Sequence, residues 1–299
     1  AAGMSRLRIA IGIATRGRAA ILAETLAELA RQSRTPDRVL VCHVGPEDVA
    51  SLPEAHPEVA FLRSEAGLPR QRNVILDAAG PDCDVVLFLD DDFLPAPDYL
   101  AVLESVMVAR PDCVVATGHV VADGAKGPGI PVEEGRAILA RDPRPADPLA
   151  TTPHFNGYGC NMAIRLAPVR AHGLRFDEAL PLYAWYEDID FTRRLAALSG
   201  GAILRLAGAR GVHLGVKSAR TPGLRLGYSQ VVNPIYLARK GSFPWSHAIP
   251  SALRHCAINA LRSFAPEPEV DRFGRFRGNL LALLDLLRGR AEPRRILDL

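Results

Sequence analysis

The sequence predicts an α/β fold, in which a mostly parallel sheet is flanked by helices and followed by a helical C-terminal extension. Two observations lead to this prediction. In the first half, short runs that are apolar along their whole length alternate with amphipathic segments, which is typical of a parallel sheet covered on both faces. From about Pro222 onward the pattern is helical. In such sheets, ligands bind beyond the carboxyl ends of the strands.

The predicted elements follow one another in regular order. Strands are expected at Arg8–Ala14, Arg38–Val44, Val59–Leu62, Asp84–Leu89, Cys113–Val121 and Asn161–Arg165, and short ones around Ile203 and Val212. Helices are expected at Ala19–Gln32, Pro69–Ala79, Asp98–Ala109 and Asp188–Leu198. The first helix places its apolar residues on one face and is followed by Pro36, while Asp98 is suited to an N-cap. Between the predicted strands Cys113–Val121 and Asn161–Arg165, the Gly- and Pro-rich residues 122–153 predict a mobile loop within one domain.

Composition excludes several classes of protein. The 299 residues are 48% apolar, enough for a sizeable core, and 36 basic against 33 acidic residues are too balanced to indicate nucleic-acid binding. Five scattered cysteines without a CxxC spacing predict neither a disulfide framework nor a zinc site. Without a membrane-length apolar run or a secretory signal pattern, we expect a cytoplasmic protein.

Three consecutive carboxylates, Asp90, Asp91 and Asp92, come directly after the apolar strand 84–89. Like charges this close repel, and a divalent cation at the strand end would relieve the repulsion. Mg²⁺ and Mn²⁺ prefer a few carboxylates together with phosphate oxygens, so an Asp-x-Asp pair predicts a metal site that accepts a diphosphate. The alternative is an exposed acidic turn before a helix.

A second acidic cluster, with Glu187, Asp188 and Asp190, opens the predicted helix 188–198. Acidic residues in a first helical turn commonly complement the helix dipole, which is the simpler interpretation. However, Trp185 and Tyr186 precede the cluster and could desolvate a carboxylate, raising its basicity. This cluster therefore predicts a candidate general base.

The order of these motifs resembles family 2 glycosyltransferases of the GT-A fold, over about residues 7–213. The matching segments are Ile13-Ala14-Thr15-Arg16-Gly17-Arg18, Gln32, Gly67-Leu68-Pro69-Arg70-Gln71-Arg72-Asn73, Leu89-Asp90-Asp91-Asp92, Pro97-Asp98-Tyr99-Leu100, Phe176-Asp177-Glu178, Glu187-Asp188 and Arg194. The resemblance implies a GT-A catalytic domain over 4–221, with a nucleotide-sugar half at about 4–121 and an acceptor half at about 154–221. Residues 222–299 would form the extension.

The resemblance also implies an activity, inverting transfer of a sugar from a nucleoside-diphosphate sugar to a hydroxyl acceptor. Asp92 and Asp90 would hold Mn²⁺ or Mg²⁺, Asp188 would act as general base, and Glu187 would orient the acceptor or Asp188. The nucleotide would be held by Thr15, Arg16, Arg72 and Asp91, with Asp90 nearby. Bacterial relatives build polysaccharides and envelope glycans, so a sugar or a lipid-linked acceptor is expected.

Some candidate residues have alternatives that the sequence leaves open. His43 stands where the family usually has a base-reading aspartate, so it could contact the base, accompany another nucleotide, or be structural. His213 could ligate the metal, as in some enzymes of this fold, or be a structural histidine. Asn161, after glycine-rich residues 157–159, could bond the donor sugar, and the glycines could instead serve only a tight strand entry. Lys217 and Arg220 could hold the diphosphate or lie in a solvated loop.

Two other functions compete with the transferase prediction. A haloacid-dehalogenase-like phosphohydrolase also has Asp-x-Asp after an apolar strand, but there it normally follows the first strand and here the fourth, and Leu94 replaces the usual small hydroxyl residue. A non-catalytic nucleotide-sugar-binding or scaffold subunit is suggested by His43, whereas both acidic motifs argue against it.

The tail contains an unusually apolar helix pattern. Residues 279–288 have leucines at 280, 281, 283, 284, 286 and 287, and arginines flank them at 272, 275, 277, 288, 290, 294 and 295. We expect this face to pack on the catalytic domain or to form a homodimer through the C-terminal helices. The alternative is peripheral attachment to an anionic membrane on its inner face.

Overall fold

The computed structural model describes residues 6–217, 222–265 and 267–299. The chain forms two compact units. The first, here called the sheet unit, takes in residues 6–65, 71–175 and 194–217 of the described chain. The second, here called the helical unit, takes in residues 66–70, 176–193, 222–265 and 267–299. The assignment of residues 4–221 to a catalytic domain and of 222–299 to an extension stays a prediction.

A single mixed sheet organises the sheet unit. Its strands are β1 (Ile9–Ala14), β2 (Arg38–His43), β3 (Val59–Arg63), β4 (Val85–Asp90), β5 (Phe93–Pro95), β6 (Cys113–Asp123), β7 (Thr151–Pro153), β8 (Asn161–Arg165) and β9 (Ala202–His213). The order across the sheet is β3-β2-β1-β4-β8-β6-β9-β5, and β7 pairs with β9. The first four strands in this order are parallel to one another, while β8 runs antiparallel to both β4 and β6.

Strands β1, β2, β3, β4, β6 and β8 agree with the predicted ones to within two residues, whereas β5 and β7 are additional and β9 differs from the prediction. Instead of two short strands, residues 202–213 form one strand that runs parallel to β6 with register shifts. Gly208 lies in one irregular stretch, where its backbone is close to Pro148. The sequence pattern is interrupted by these irregularities, which is why the strand looks divided in the sequence.

Ten α-helices accompany the strands in the described chain. They are α1 (Ala19–Ala30), α2 (Leu52–Ala55), α3 (Leu68–Ala78), α4 (Tyr99–Ala109), α5 (Val132–Arg141), α6 (Leu166–Ala171), α7 (Glu187–Ser199), α8 (Gly223–Lys240), α9 (Trp245–Arg262) and α10 (Arg272–Leu287). Helices α1, α3, α4 and α7 agree with the prediction to within a few residues, and the helical tail is confirmed.

The prediction of a loop over residues 122–153 is wrong, because this segment contains α5 and β7. Val132, Ile138 and Leu139 of this segment pack against a buried cluster of Leu94, Val212 and Leu214. The partners that order α5 are distant in the sequence, and its glycine- and proline-rich flanks hide the helical pattern.

The central strands β1 and β4 explain how a charged site is positioned. Both are buried along almost their whole length, and they are paired from Ile9–Val85 to Ala14–Asp90. Their apolar side chains leave the chain no polar group until both strands end at the same edge of the sheet. The next residues, Thr15 and Asp91, therefore meet at this edge.

Helices α8 and α10 of the helical unit approach each other through glycines. A Cβ atom on Gly278 would lie 2.1 Å from the Leu224 carbonyl oxygen and 2.7 Å from the Tyr228 nitrogen. A Cβ atom on Gly227 would lie 2.0 Å from the carbonyl oxygen of Arg275. Such backbone contact allows polar groups to bond across the helices, and the Asn279 amide donates to the Gly227 carbonyl oxygen at 2.7 Å.

Of the two arrangements expected for the leucine-rich face of the tail, packing within the described chain does not occur for most of its leucines, and packing on a second copy stays a prediction. The face of α10 that packs on α8 is made of Gly274, Gly278, Asn279, Ala282 and Asp285. Leu281 and Leu286 are partly buried, whereas Leu280, Leu283, Leu284 and Leu287 are exposed. Small residues permit a closer helix approach than leucines would, so the leucines are left outside. No helix of the described chain is long and apolar enough to cross a membrane.

The contact between Gly278 and the α8 backbone predicts whether Gly278→Ala raises or lowers the free energy of unfolding. Helix propensity alone would make Gly278→Ala stabilising by about 0.5–1 kcal/mol. Because the new methyl group would meet the α8 backbone, we expect instead a loss of about 1–3 kcal/mol in the free energy of unfolding. Urea unfolding followed by circular dichroism measures it. Gly127→Ala is the control, since nothing lies within 4 Å of its Cβ position, and its change should stay within about 0.5 kcal/mol. A Gly278→Ala protein as stable as the wild type would contradict the contact.

Candidate functional site

Asp91 is the member of the acidic triplet that is held by the loop after β1. The Thr15 hydroxyl donates to Asp91 Oδ2 at 2.7 Å, and Arg18 Nη1 donates to Asp91 Oδ1 at 3.1 Å. Burial raises the pKa of Asp91 to about 7, and the charge of Arg18 opposes this rise. Asp91 therefore fastens the β1 loop to the end of β4.

Asp92 is almost completely buried and points one oxygen at a backbone donor. Its Oδ2 accepts a hydrogen bond of 2.7 Å from the Val216 amide, and its own carbonyl oxygen accepts one of 2.9 Å from the Leu214 amide. Its other oxygen, Oδ1, is buried and has no hydrogen-bond partner in the part of the chain that the structure describes. Burial opposes ionisation, but His213 and Arg18 outweigh it and keep the pKa of Asp92 below the usual value.

His213, the last residue of β9, lies between several carboxylates. Its Nε2 is 3.4 Å from Asp92 Oδ1 and 3.6 Å from Asp90 Oδ2, while its Nδ1 is 2.9 Å from Asp123 Oδ1. Burial opposes the charged imidazole, but Asp123, Asp92 and Asp90 raise the pKa of His213 to about 10. This position in the fold therefore strongly favours a positive charge.

Asp90, Asp92 and His213 fit a divalent cation. One ligand atom from each lies within 4.8 Å of the others, so a single ion could reach all three. Asp92 Oδ1 is buried and accepts no hydrogen bond from the described residues, and its ion pair with His213 Nε2 is 3.4 Å long, so a cation here would give this oxygen a direct partner. Two carboxylates and one imidazole also form a donor set that suits Mn²⁺ or Mg²⁺ with remaining positions for phosphate oxygens.

Asp123, at the end of β6, supports His213 from behind. It accepts hydrogen bonds from the Tyr158 hydroxyl at 2.8 Å and from the Ala125 amide at 3.0 Å. Burial opposes ionisation, but the hydrogen bond and charge of His213 lower the pKa of Asp123 to about 2. A carboxylate that holds one imidazole nitrogen orients the other nitrogen toward a metal. Sequence analysis missed Asp123, because only the register of β6 with β9 brings it opposite His213.

A close backbone approach fixes the segment after His213. Gly215 has φ +66°, and a Cβ atom there would lie 2.2 Å from the backbone of Gly124 and Ala125. The Val216 amide, three residues after the end of β9, thereby reaches Asp92. Lys217 donates to the Gly124 carbonyl oxygen at 2.9 Å. Arg220, predicted to act with Lys217, lies outside the described residues.

Besides Thr15, Arg72 is a residue predicted to hold the nucleotide that lies beside the acidic triplet. Its Nη2 is 3.7 Å from Asp90 Oδ1 and donates to the Gly159 carbonyl oxygen at 2.8 Å, and its guanidinium lies over the Phe88 ring. Arg16 is exposed in the β1–α1 loop. The sequence analysis missed Arg18 as a site residue, although it ends the matching segment 13–18. Arg18 forms ion pairs with both Asp91 and Asp92.

His43 is partly buried and Asn161 is fully buried, and both side chains bond groups of the chain itself. His43 ends β2, is partly buried, and bonds the Gly45 carbonyl oxygen through Nδ1 at 2.9 Å. Asn161 is fully buried at the start of β8, and its side-chain oxygen accepts from the Thr117 hydroxyl at 3.1 Å. Base contact by His43 and donor-sugar contact by Asn161 stay predictions.

Asp48 is a further acidic residue near the end of β2. Its carboxylate accepts hydrogen bonds from the amides of Gly17, Val44 and Gly45 at 2.7–2.9 Å. Burial opposes ionisation, but these backbone bonds keep its pKa lowered. Asp48 thus joins the loops that follow β1 and β2.

The second acidic cluster lies at the start of α7 in the helical unit. Glu187 is buried, whereas Asp188 is partly exposed and its Oδ1 accepts from the Ile189 amide at 2.8 Å. Asp190 is fully buried and accepts from Lys240 Nζ at 2.9 Å. Lys240 also bonds Asp177, which belongs to the Phe-Asp-Glu motif. Lys240 therefore neutralises the buried Asp190 and the partly buried Asp177, and Asp188 is more accessible than Glu187 or Asp190.

The segment before α7 is conformationally unusual. Leu182, Ala184 and Tyr186 all have φ between +51° and +73°, a region that side chains rarely adopt. Such strain collects at functional sites, where the surrounding structure holds it. The ring of Trp185 lies between Tyr186, at 5.2 Å, and His255, at 5.4 Å. The backbone of this segment is therefore held in place by aromatic packing.

The fold and the sheet-unit site together define a GT-A-type α/β protein with an Asp-x-Asp motif. The model of the Glycosyl transferase family 2 matches residues 10–169, more than half of the chain, and the chain belongs to this family. The predicted family and fold class are thereby confirmed. The haloacid-dehalogenase alternative finds no support in this match. No curated protein is similar enough in sequence to match.

Solved structures with a similar fold include two of S. aureus TarS and one of a mannosyltransferase. S. aureus TarS 1-349 is 16% identical, covers 97% of this chain and 82% of its own, and has a TM-score of 0.58. The mannosyltransferase PcManGT from Pyrobaculum calidifontis, in complex with GDP-Man and Mn²⁺, is 18% identical over 96% of this chain and 88% of its own, with a TM-score of 0.56. A TarS 1-349 complex with UDP-GlcNAc has 16% identity and a TM-score of 0.55 over 97% and 83% of the two chains. At these identities the similarity shows the fold.

The contact between Asp123 and His213 generates a test of the metal site. Asp123→Asn keeps the shape but removes the charge that orients the imidazole, so we expect Mn²⁺ affinity to fall by about 10–100-fold. Isothermal titration with MnCl₂ measures it. Asp112→Asn is the control, because Asp112 is paired with Arg110 on the exposed end before β6, and this change should leave the affinity unaltered. Equal Mn²⁺ affinity in both variants would remove Asp123 from the site.

Proposed function

We propose that this chain transfers a sugar from a nucleoside-diphosphate sugar to a hydroxyl acceptor, with inversion at the anomeric carbon and with dependence on Mn²⁺ or Mg²⁺. The observation that carries the proposal is the convergence of Asp90, Asp92 and His213 beyond the end of β4. A member of this family with such a cluster has the groups that a diphosphate leaving group requires.

The donor class is supported by the charge around the acidic triplet. Arg18 and Arg72 bring two guanidinium groups beside Asp90, Asp91 and Asp92, and such groups bind phosphate oxygens well. TarS and PcManGT hold UDP-GlcNAc and GDP-Man, respectively. Those ligands belong to those proteins, and only their shared class, a nucleoside-diphosphate sugar, is proposed for this chain. Thr15, Arg16, His43, Asp91 and Asn161 complete the proposed donor site.

Asp92, His213 and Asp90 would hold the metal. When bound, a divalent cation neutralises the negative charge that develops on the departing nucleoside diphosphate. Arg18 is already ion-paired with Asp91, and Asp92 already accepts a hydrogen bond from the Val216 amide. The acidic triplet therefore needs little rearrangement when a metal binds. This preorganisation matters because the developing charge is stabilised without the cost of moving dipoles during the reaction.

Asp188 would accept the proton of the acceptor hydroxyl while the hydroxyl oxygen forms its bond to the anomeric carbon. The bond from that carbon to the diphosphate oxygen breaks in the same displacement, which inverts the configuration. Asp188 suits this role because its carboxylate is partly exposed, whereas the neighbouring Asp190 is fully buried and ion-paired with Lys240. Glu187, buried beside it, would orient the acceptor or Asp188.

The acceptor is proposed to be a sugar or a lipid-linked hydroxyl compound in polysaccharide or envelope glycan synthesis. This class follows from the family and not from a contact in the fold. A thermal-shift screen of nucleotide sugars, with and without MnCl₂, would identify the donor, since a ligand that binds the native state raises Tm. If no nucleotide sugar raised Tm in the presence of MnCl₂, the proposal would fail at its first step.

Removal of the central ligand tests metal-dependent transfer. In Asp92→Asn the side chain can still accept from Val216, so the fold should be retained, while transfer should fall by at least about a hundredfold. Donor consumption with MnCl₂ measures it, and excess EDTA should inactivate the wild type. Asp82→Asn, on an exposed carboxylate, is the matched control. Full activity in EDTA would contradict metal dependence, and consumption of donor by neither protein would favour a non-catalytic binding subunit.

Asp188→Asn separates catalysis from binding. This change removes the proton acceptor and keeps the shape, so kcat should fall by about 10²–10⁴-fold with an unchanged donor Kd and Tm. Asp190→Asn is the comparison within the same helix turn, and it should mainly lower Tm because it breaks the buried pair with Lys240. Loss of donor affinity with retained kcat in Asp188→Asn would make Asp188 a binding residue.

A further inference from the structure

Within the described residues, helix α10 has one side of mainly small residues that packs on α8 and a second, apolar side that is exposed. At about 100° per residue, Gly274, Gly278, Ala282 and Asp285 share one side, and this side is buried against α8. Phe273, Leu280, Leu284 and Leu287 recur at the same spacing on the other side, and all four are exposed. A helix that packs on one face normally presents polar residues on the opposite face. This exposed apolar stripe therefore needs an explanation other than the core.

Helix α9 also has an exposed apolar stripe, which lies beside its buried side. Its buried side contains Ala248, Ala252 and Asn259, whereas Trp245, Ile249 and Leu253 form an exposed stripe at intervals of four residues. The stripe continues toward the end of the helix with Leu261, which is 73% exposed, and with Phe264 just beyond it, which is 90% exposed. Helices α9 and α10 are packed neighbours, so both stripes belong to one unit. We call the two stripes together the apolar surface.

Exposed apolar side chains are concentrated in this part of the chain. Of the 14 large apolar residues that are exposed among the described residues, 11 lie at or after Trp245. Single exposed apolar residues are ordinary, but a group of this size marks an interaction site. Leu149 and Leu198 of the sheet unit are comparably exposed but isolated, and they provide a reference.

The charge of the same segment indicates what the apolar surface contacts. Residues 222–299 contain twelve Arg and Lys against six Asp and Glu, which is a formal charge of +6, although the whole chain carries only +3. Exposed arginines flank the α10 stripe at 277, 288 and 290. Two copies joined through this surface would bring these positive charges together, whereas an anionic surface would neutralise them.

We propose that the apolar surface attaches the protein to a membrane containing anionic phospholipid. Trp245, Phe273 and the leucines would enter the boundary between headgroups and acyl chains, and the arginines would contact lipid phosphates. Both helices would lie along the membrane surface, because their opposite faces are packed in the helical unit around buried polar groups such as Asn279 and Asp285. This inference does not depend on the proposed transfer chemistry, but attachment would bring the protein to lipid-linked acceptors.

Vesicle co-sedimentation of the whole protein, without donor or metal, tests the inference. We expect binding to vesicles of phosphatidylcholine with phosphatidylglycerol, little binding to phosphatidylcholine alone, and weaker binding in high salt. Leu280→Ser/Leu284→Ser/Leu287→Ser should reduce the partition coefficient by at least about tenfold, since each exposed leucine contributes apolar area. Leu149→Ser/Leu198→Ser is the matched control and should bind as the wild type.

A second variant and a second measurement complete the test. Arg277→Gln/Arg288→Gln/Arg290→Gln leaves the apolar side chains in place, so its binding to anionic vesicles should fall and its remaining binding should be insensitive to salt. The inference is overturned if the wild type ignores both kinds of vesicle, or if it binds neutral and anionic vesicles equally. It is also overturned if light scattering finds a dimer that the leucine variant converts to a monomer, because a second copy would then cover the surface.

Discussion

The site depends on one electrostatic problem, the placement of three adjacent aspartates at the end of a strand whose other residues are buried. Asp90 is the last residue of β4, Asp91 and Asp92 follow it directly, and these two are almost fully buried. Burial and mutual repulsion both disfavour three negative charges there. Arg18 and His213 offset this cost, because they form ion pairs with Asp91 and Asp92, respectively. Each of these groups comes from another part of the chain, so the sheet must form correctly before the charges are balanced.

This constraint also explains the architecture of the second half of the sheet. Strand β9 must run long enough to bring His213 opposite Phe93 in β5 and Asp123 in β6. Past its end, Gly215 allows the close backbone contact that aims the Val216 amide at Asp92. The irregular register of β9 is therefore a feature that serves the site and not a defect of the sheet.

The helical unit is built on a different principle, because backbone contact through glycines replaces packing of large side chains. Gly227 and Gly278 bring α8 and α10 close enough for a buried amide network that includes Asn259 and Asn279. Such a network specifies one helix arrangement, since any shift would leave a buried amide unpaired. The large apolar residues of α9 and α10 are released from the core by this arrangement, and they form a surface with a positive border.

The sequence by itself determined the α/β fold, most strands and helices, the helical tail and both acidic clusters. These features are local, because an apolar run predicts a buried strand and a chemically costly run of aspartates indicates a site. Tertiary structure decided the rest. In the sequence, Asp123 and Lys240 look like ordinary charged residues. Strand β6 places Asp123 beside His213, and helix α8 places Lys240 beside Asp190. Tertiary structure ordered α5 through contacts with distant strands, and it turned four leucines of α10 outward because glycines fit the helix interface more closely. A sequence pattern reports which residues share a helix face, but only the packed neighbours decide which face is covered.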